Sequence, residues 1–205
     1  MDNTVMKTKI SHTQLPPDFV DDIREAVRVL RQGGIILYPT DTIWGIGCDA
    51  TDEKAGQRIY ALKQREDSKA MICLVDSDLR LQRYVRDVPD VAWQLLDVAT
   101  RPTTVILDGA MGLASNLIAS DGSVALRITQ EPFSRELCYG LERPIVSTSA
   151  NISGQTAPHT FDEIDPLLLQ SVDYVCRSRR DERKPQQPSS IIKLTHDGVV
   201  SIIRP

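Results

Sequence analysis

Hydroxyl and carboxylate side chains directly follow an apolar strand predicted over 35–38. They are Thr40, Asp41 and Thr42, and glycines follow at 45 and 47, where they would let the backbone approach a neighbour closely. Polar, glycine-bearing loops at strand ends are where α/β proteins bind ligands. A second apolar strand later in the chain runs into a similar polar segment, Ser147–Gly154. Capping explains one such segment, whereas two of them favour ligand binding.

Basic side chains form the second group with chemical potential. They are Lys63, Arg65, Lys69, Arg127 and Arg204. Lys63 and Arg65 stand at a predicted helix end, where a cation could simply interact with the helix dipole. Arg127 ends the apolar strand VALRI, and a charge there is costly without a partner, which favours a functional role. Arg204 by itself could be a solvated tail. Together with the hydroxyls, these cations indicate a pocket for a small anion-bearing substrate.

Several common catalytic motifs are absent from the sequence. It contains no Walker phosphate loop, no GxGxxG after a strand, no HExxH and no GxSxG elbow. The three histidines are scattered, so a histidine-based acid–base mechanism has no support. Trp44 is interpreted as a core residue, with stacking on a base as the alternative.

The composition is that of an ordinary globular protein. The 205 residues are 41% apolar and 25% charged, with a net charge of −4, so no global positive field attracts nucleic acid. The four cysteines form no CxxC pair and are predicted to be reduced core residues. No apolar run approaches a membrane span, and the N-terminus lacks a signal-peptide core. We expect a cytoplasmic protein with one domain over 1–205 and no additional C-terminal domain.

Helical and strand patterns alternate along the chain, which predicts an α/β fold with a mixed sheet. Helices are expected over 17–32, 52–64, 79–85, 91–99, 133–139 and 161–170. Strands are expected over 35–38, 71–75, 103–107, 123–128, 144–148 and 172–176, with a C-terminal hairpin of 190–194 and 199–203. The polar stretch Arg177–Ser190 is predicted to be a long surface loop. Its arginines alternate with acids and are interpreted as solvated, with nucleic-acid contact as the alternative.

Four blocks of the sequence resemble the YrdC-type threonylcarbamoyl-AMP synthases. They are YPTDTIWGIGCDA (38–50), IYALKQREDSKAM (59–71), SVALRI (123–128) and PIVSTSANISGQTAP (144–158). PSSIIKL and the terminal IIRP give a weaker fifth match. The sequence departs from the family pattern at Trp44, usually Tyr, and at Glu66 and Ala70, usually Pro. The match covers nearly the whole chain, and its first and fourth blocks are the most specific.

The resemblance implies a twisted mixed sheet with flanking helices and a large concave basic cavity. It also implies an enzyme that converts L-threonine, bicarbonate or CO2, and ATP into threonylcarbamoyl-AMP and pyrophosphate. A partner transferase would then move the threonylcarbamoyl group to an adenosine of tRNA. Mg²⁺ would arrive with ATP rather than in a protein metal site. Positioning and charge neutralisation would supply most of the acceleration, so no catalytic histidine is required.

The resemblance also implies roles for individual residues. Lys63 and Arg65 would be catalytic and face the ATP phosphates and the carbamate. The residues implied to contact threonine are Thr40, Lys69, Arg127, Ala150 and Ser190. Those implied to contact the nucleotide are Lys63, Ser123, Ser149, Asn151, Ala157 and Arg204. Ser190 and Arg204 depend on the weaker fifth match.

Two alternatives stay open at the level of sequence. One is a non-catalytic RNA-binding protein that uses the same concave basic surface and binds RNA weakly. The other is a carbamoyl-transfer domain like those of hydrogenase maturation proteins, although those lie in much longer chains with zinc-finger and acylphosphatase segments that this sequence lacks.

Overall fold

The computed structural model describes residues 15–64, 71–183 and 187–205. The strands found there are β1 Ile36–Tyr38, β2 Gly45–Gly47, β3 Ile72–Val75, β4 Thr103–Leu107, β5 Val124–Ile128, β6 Ile145–Ser149, β7 Tyr174–Val175, β8 Ser190–Leu194 and β9 Val200–Arg204. The helices are α1 Pro17–Arg31, α2 Glu53–Lys63, α3 Asp78–Gln82, α4 Asp90–Val98, α5 Pro132–Leu141 and α6 Pro166–Ser171. Short 3₁₀ turns cover Ser115–Leu117 and Phe161–Glu163.

Local sequence explains where the main helices begin and end. α1 starts with proline at its first position and carries basic residues in its last turn, as the helix dipole favours. The side chain of Asp52 accepts hydrogen bonds from the first backbone amides of α2, and Glu131 does the same for α5. α2 ends where Gln64 adopts a left-handed conformation.

The strands form one mixed sheet in the order β7-β1-β2-β6-β3-β5-β4-β8-β9. Parallel pairing joins β1 with β7, β3 with β5, and β4 with β8, and the remaining neighbours are antiparallel. The predicted α/β class and mixed sheet are confirmed.

Apolar side chains pack on both faces of this sheet. On one face, α1 and α5 pack on β1, β3 and β6 through residues such as Leu30, Phe133 and Leu74. On the other face, α2 and α4 contribute to a larger cluster that includes Leu37 and Ile59. All four cysteines are buried with free thiols, which confirms their interpretation as core residues. Within the described ranges, no helix is long and apolar enough to cross a bilayer.

Sequence-based prediction failed in part at two helices and missed one strand. The helix expected over 161–170 is a 3₁₀ turn followed by α6, because Pro166 cannot lie in a helix interior and instead occupies the first position of α6. The helix expected over 79–85 ends at Gln82, since Val85 forms a bridge with Ala110. The strand β2 was not predicted at all.

Candidate functional site

Strand register places one group of polar residues on a single face of the sheet. Residues paired directly across neighbouring strands share a face, and residues two apart on one strand do so as well. Gly45 pairs with Ser149, and Ile72 pairs with both Ser147 and Ala125. These residues lie on the same face as Tyr38, Leu74 and Ile145, the part covered by α1 and α5. The part of the face left uncovered by those helices is available to a ligand.

A cavity of about 290 Å³ lies over this uncovered part. Its lining residues are Thr42, Ile43, Trp44, Gly45, Met71, Ile72, Arg127, Ser147, Thr148, Ser149, Ala157, Pro188, Ser189, Ile191 and Arg204. The described lining residues include two arginines and several hydroxyls but no carboxylate. A fixed positive charge beside hydroxyl donors is suited to anions.

Arg127 lies on β5 with its side chain only 3% exposed. Its Nη2 lies 2.9 Å from Asp41 Oδ1 and 3.3 Å from Thr42 Oγ1. The contact with Asp41 lacks hydrogen-bond geometry, and within the described part of the chain neither Asp41 Oδ1 nor Arg127 Nε has a hydrogen-bond partner. A buried guanidinium with an unsatisfied donor costs free energy, and a bound carboxylate would remove that cost.

Asp41 is the counter-charge of Arg127. Burial raises the pKa of its carboxyl group above the ordinary value, and the nearby Arg127 opposes that rise. The side chain is 11% exposed. Asp41 and Arg127 thus form a largely desolvated pair.

Arg204 reaches the cavity from β9. Its Nε donates to the backbone carbonyl of Ser189 at 2.7 Å, and Ser189 Oγ lies 2.8 Å from Thr104 Oγ1. Burial and the positive charge of Arg127 lower the pKa of Arg204. Two guanidinium groups therefore repel each other across the cavity, and an anion between them would relieve this repulsion.

The segment 40–43 forms a compact hydrogen-bonded turn at the cavity wall. Thr40 Oγ1 donates to the carbonyl of Ile43 at 2.8 Å and accepts from the backbone N–H of Thr42 at 3.0 Å. The two threonine hydroxyls are also 3.0 Å apart. Since Arg127 donates to Thr42 Oγ1, a continuous chain of hydrogen bonds links the buried guanidinium to this turn.

Lys63 lies behind the polar segment that follows β6. Its Nζ donates to the backbone carbonyls of Ser149 and Asn151 at 2.5 and 2.6 Å. The backbone carbonyl of Lys63 accepts from Ser153, while the N–H of Ala150 donates to Trp44. Lys63 thus holds the segment that carries Ser149 on the cavity wall, and Lys63 itself is not among the lining residues.

Trp44 is both a buried residue and a cavity wall. Its ring packs against Phe161 with centroids 4.9 Å apart, and the guanidinium of Arg180 lies 4.8 Å from the Phe161 centroid. The Arg180 guanidinium thus contacts the Phe161 ring, which packs at a tilt against Trp44. The position of Trp44 is compatible with both interpretations, a core residue and a ring that stacks on a base.

Two of the four arginines of the long loop, Arg179 and Arg180, are held by polar partners rather than solvated, which corrects the sequence interpretation for them. Arg179 is 13% exposed, lies 3.0 Å from Glu131 and donates to the Thr40 carbonyl. Arg180 donates to the carbonyls of Val175 and Cys176. Local alternation of charges suggested exposure, but Arg179 contacts residues distant in sequence, and Arg180 binds backbone carbonyls in the strand just before it. Arg177 and Arg183 fit the prediction, since their side chains are 64% and 59% exposed.

The glycines at 45 and 47 also require a correction. The sequence placed them in a ligand-binding loop, whereas they form β2 between β1 and β6. A Cβ on Gly47 would lie 2.4 Å from the Val146 carbonyl oxygen. The absence of a side chain at Gly47 is therefore required by the neighbouring strand rather than by a substrate.

The predicted site residues fall into four groups. Arg127, Ser149, Ala157 and Arg204 line the cavity. Thr40, Lys63, Ala150 and Asn151 stand directly behind its wall, in contact with lining residues or beside them in sequence. Ser123 and Ser190 are buried but do not line it: the Ser123 hydroxyl donates to Asp121, and Ser190 begins β8. Arg65 and Lys69 lie outside the described residues.

Two residues at or beside the cavity, Ser189 and Asp41, received no role from the sequence. Ser189, adjacent to the predicted Ser190, is the serine of that pair that reaches the wall, and it holds Arg204. Asp41 was noted but not paired with Arg127. Pairing between strands that are distant in sequence brings these residues to the site, and no local sequence pattern predicts it.

Among the described residues, no group of three or more histidine, cysteine, aspartate or glutamate side chains is arranged to hold a metal ion. The expectation that Mg²⁺ enters with ATP stays a prediction.

Comparison with known proteins gives consistent matches. A sequence model for Sua5, YciO and YrdC proteins, described as "Telomere recombination", matches residues 28–205. A putative threonylcarbamoyl-AMP synthase of Methanocaldococcus jannaschii is 38% identical over 172 residues, which is 83% of this chain and 79% of that protein.

Solved structures agree with the sequence comparison. Escherichia coli YciO superimposes with a TM-score of 0.79 at 27% identity, over 93% of this chain and 90% of that one. Sua5 from P. abyssi complexed with L-threonine has a TM-score of 0.75 at 25% identity, over 84% of this chain. This chain spans about half of that longer protein, with 50% covered.

Proposed function

The chain belongs to the Sua5/YciO/YrdC family, and from this premise we propose that it is an enzyme, a threonylcarbamoyl-AMP synthase. Relatives named as such synthases are 33–40% identical over most of the chain. The observation that carries the proposal is the shared cavity of Arg127 and Arg204, two buried or half-buried cations on one face of the sheet. Its substrates would be L-threonine, bicarbonate or CO2, and ATP.

The reaction has two bond-forming steps. The threonine amine forms an N–C bond with CO2, loses a proton and becomes a carbamate. A carbamate oxygen then attacks the α-phosphorus of ATP in line, the bond to the β-phosphate oxygen breaks, and pyrophosphate leaves. The threonine carboxylate, the carbamate and the triphosphate are all anionic, so bringing them together costs Coulomb energy unless fixed cations offset it. The arginines of the cavity supply such charge without any proton transfer.

Arg127 is assigned to the threonine carboxylate. Its unpartnered Nε and the hydroxyl of Thr42 face one region, and a guanidinium can bind a carboxylate through two parallel hydrogen bonds. Thr40, Ala150 and Ser190 are the other threonine contacts proposed within the described part of the chain, together with Lys69 outside it.

The nucleotide is assigned to the side of the cavity formed by β6, β8 and β9. Arg204 supplies positive charge there, Ser149 and Asn151 lie on the segment held by Lys63, and Trp44 offers an aromatic wall. Ser123 and Ala157 complete the proposed nucleotide contacts. Lys63 and Arg65 are the proposed catalytic cations, although Lys63 now donates to backbone carbonyls and would have to exchange them for phosphate. Mg²⁺ would enter as part of the ATP substrate.

The product would serve a tRNA-modifying transferase. A mixed anhydride of a carbamate and AMP is an activated acyl donor, so an acceptor enzyme must take it before water does. That transferase is the proposed protein partner.

Omission kinetics test the proposed function. With MgATP, L-threonine and bicarbonate present, we expect pyrophosphate release that falls to background when threonine or bicarbonate is left out. The threonine-free reaction also measures the background from contaminating ATPases. A release rate unchanged without threonine would contradict the assignment.

The alternative, a non-catalytic RNA-binding protein, predicts a different result. It requires salt-sensitive RNA binding that is indifferent to ATP and survives Lys63→Ala. Among the described residues, the cations that line the wall are the two arginines of the cavity, and this pair is too small a basic surface to favour RNA.

A further inference from the structure

The turn 40–43 is held from two sides. Inside the cavity, Arg127 donates to the hydroxyl of Thr42 at 3.3 Å. From the outside, Nη1 of Arg179 donates to the backbone carbonyl of Thr40 at 3.1 Å. Both arginines are nearly buried, with 3% and 13% of their side chains exposed. Two desolvated cations therefore restrain the same few residues.

Arg179 is itself firmly held. It lies 3.0 Å from Glu131, the residue that caps α5, and it makes a two-pronged pair with Glu182 at 2.7 and 2.8 Å. Its φ of +62° is unfavourable for a residue with a side chain. A conformation of this kind persists only where the surroundings enforce it, and here the three polar partners do so.

The charges around this point alternate. Arg127 faces Asp41, and Arg179 faces Glu131. Glu131 contributes to raising the pKa of the Asp41 carboxyl, although burial contributes most, and Arg179 contributes to lowering it. Arg179 thus shields Asp41 from a neighbouring carboxylate, and Asp41 in turn is the counter-charge that orients Arg127.

We propose that Arg179 is a positioning residue for the threonine site. It holds the Thr40 carbonyl so that the hydroxyl chain of the turn and the guanidinium of Arg127 keep one arrangement for the amino acid. This role rests on the proposed function, since it assumes that threonine binds at Arg127. The polar partners of Arg179 among the described residues are Thr40, Glu131 and Glu182, none of them assigned to the nucleotide, so we expect an effect specific to the amino-acid substrate.

The test compares three variants of the full chain. Arg179→Ala should raise KM for threonine about tenfold while KM for ATP changes less than twofold. Arg179→Lys should recover part of the threonine affinity, because an ammonium can still reach one carbonyl but cannot make the forked pair. Arg183→Ala is the matched control, since it removes an arginine of the same loop whose ion pair with Asp162 is exposed, and it should leave both KM values unchanged.

Two outcomes would overturn the proposal. One is an equal rise in both KM values, or a fall in kcat alone, which would indicate a merely structural role. The other comes from calorimetric titration with threonine alone: equal affinities of the wild type and Arg179→Ala would exclude the positioning role even if pyrophosphate release failed. A wild type that binds threonine but releases no pyrophosphate would instead contradict the proposed reaction, and a wild type that does not bind threonine would contradict both.

Discussion

Arg127 combines burial with incomplete pairing. Its neighbours Asp41 and Thr42 contact one terminal nitrogen, while Nε has no hydrogen-bond partner among the described residues. Removing a guanidinium from water costs several kcal/mol unless its donors are satisfied. The proposed threonine carboxylate would supply the missing partner.

Separate losses of threonine and ATP affinity are expected for the two cavity arginines. Arg127→Ala should weaken threonine binding at least about thirtyfold, because truncating one partner of a buried charged contact costs about 2–5 kcal/mol, and it should change ATP binding little. Arg204→Ala should do the reverse. Isothermal titration calorimetry with each substrate measures both.

A control separates binding from folding. Arg127→Ala leaves Asp41 buried without its counter-charge and should lower stability. The double variant Arg127→Ala with Asp41→Asn should recover stability without recovering threonine affinity. Parallel losses of both substrates in Arg127→Ala would refute its assignment to threonine.

At the scale of the elements, β2 is the strand that connects the polar turn to the rest of the sheet. It has only three residues, Gly45–Gly47, and pairs with β1 on one side and β6 on the other. Glycine allows the neighbouring backbone to approach, and Tyr38 lies across the same point. The position of the turn 40–43 thus depends on how closely β2 can pack.

Alanine at the two glycines of β2 should have different effects. Gly47→Ala places a Cβ 2.4 Å from a backbone oxygen of β6, so the strands must separate, and overpacking of this kind costs about 1–3 kcal/mol. At Gly45 the nearest atoms are 3.3–3.4 Å away and include Ser147 Oγ and Thr40 Cγ2. Thermal unfolding should show the larger loss for Gly47→Ala, and equal melting temperatures would contradict this packing argument.

The elements that sequence could predict are those with strong local signals. Apolar runs identified β3 to β6, and apolar residues at helical spacing located α1 and α2. β2 was missed because glycine is depleted from strands, and its strand character comes only from its two neighbours. Arg179 was interpreted as solvated for a related reason: its partners Thr40 and Glu131 are distant in sequence, so the alternating charges nearby gave the wrong indication.

At the scale of the whole molecule, the sheet converts scattered residues into one site. The cavity draws on β2, β3, β5, β6, β8 and β9, while α1 and α5 cover only the other part of the same face. The protein carries a net charge of −4, so its overall field does not attract anionic substrates. We therefore expect affinity to come from local cations, which among the described cavity-lining residues are Arg127 and Arg204.

The most direct test is to follow the carbon of bicarbonate into the product. The enzyme is incubated with MgATP, L-threonine and ¹³C-bicarbonate, and the adenylate is analysed by liquid chromatography and mass spectrometry. We predict a threonylcarbamoyl-AMP species one mass unit heavier than with ordinary bicarbonate, and its loss in Arg127→Ala. A product adenylate that contains threonine but no label, or no adenylate despite bound threonine and ATP, would contradict the account.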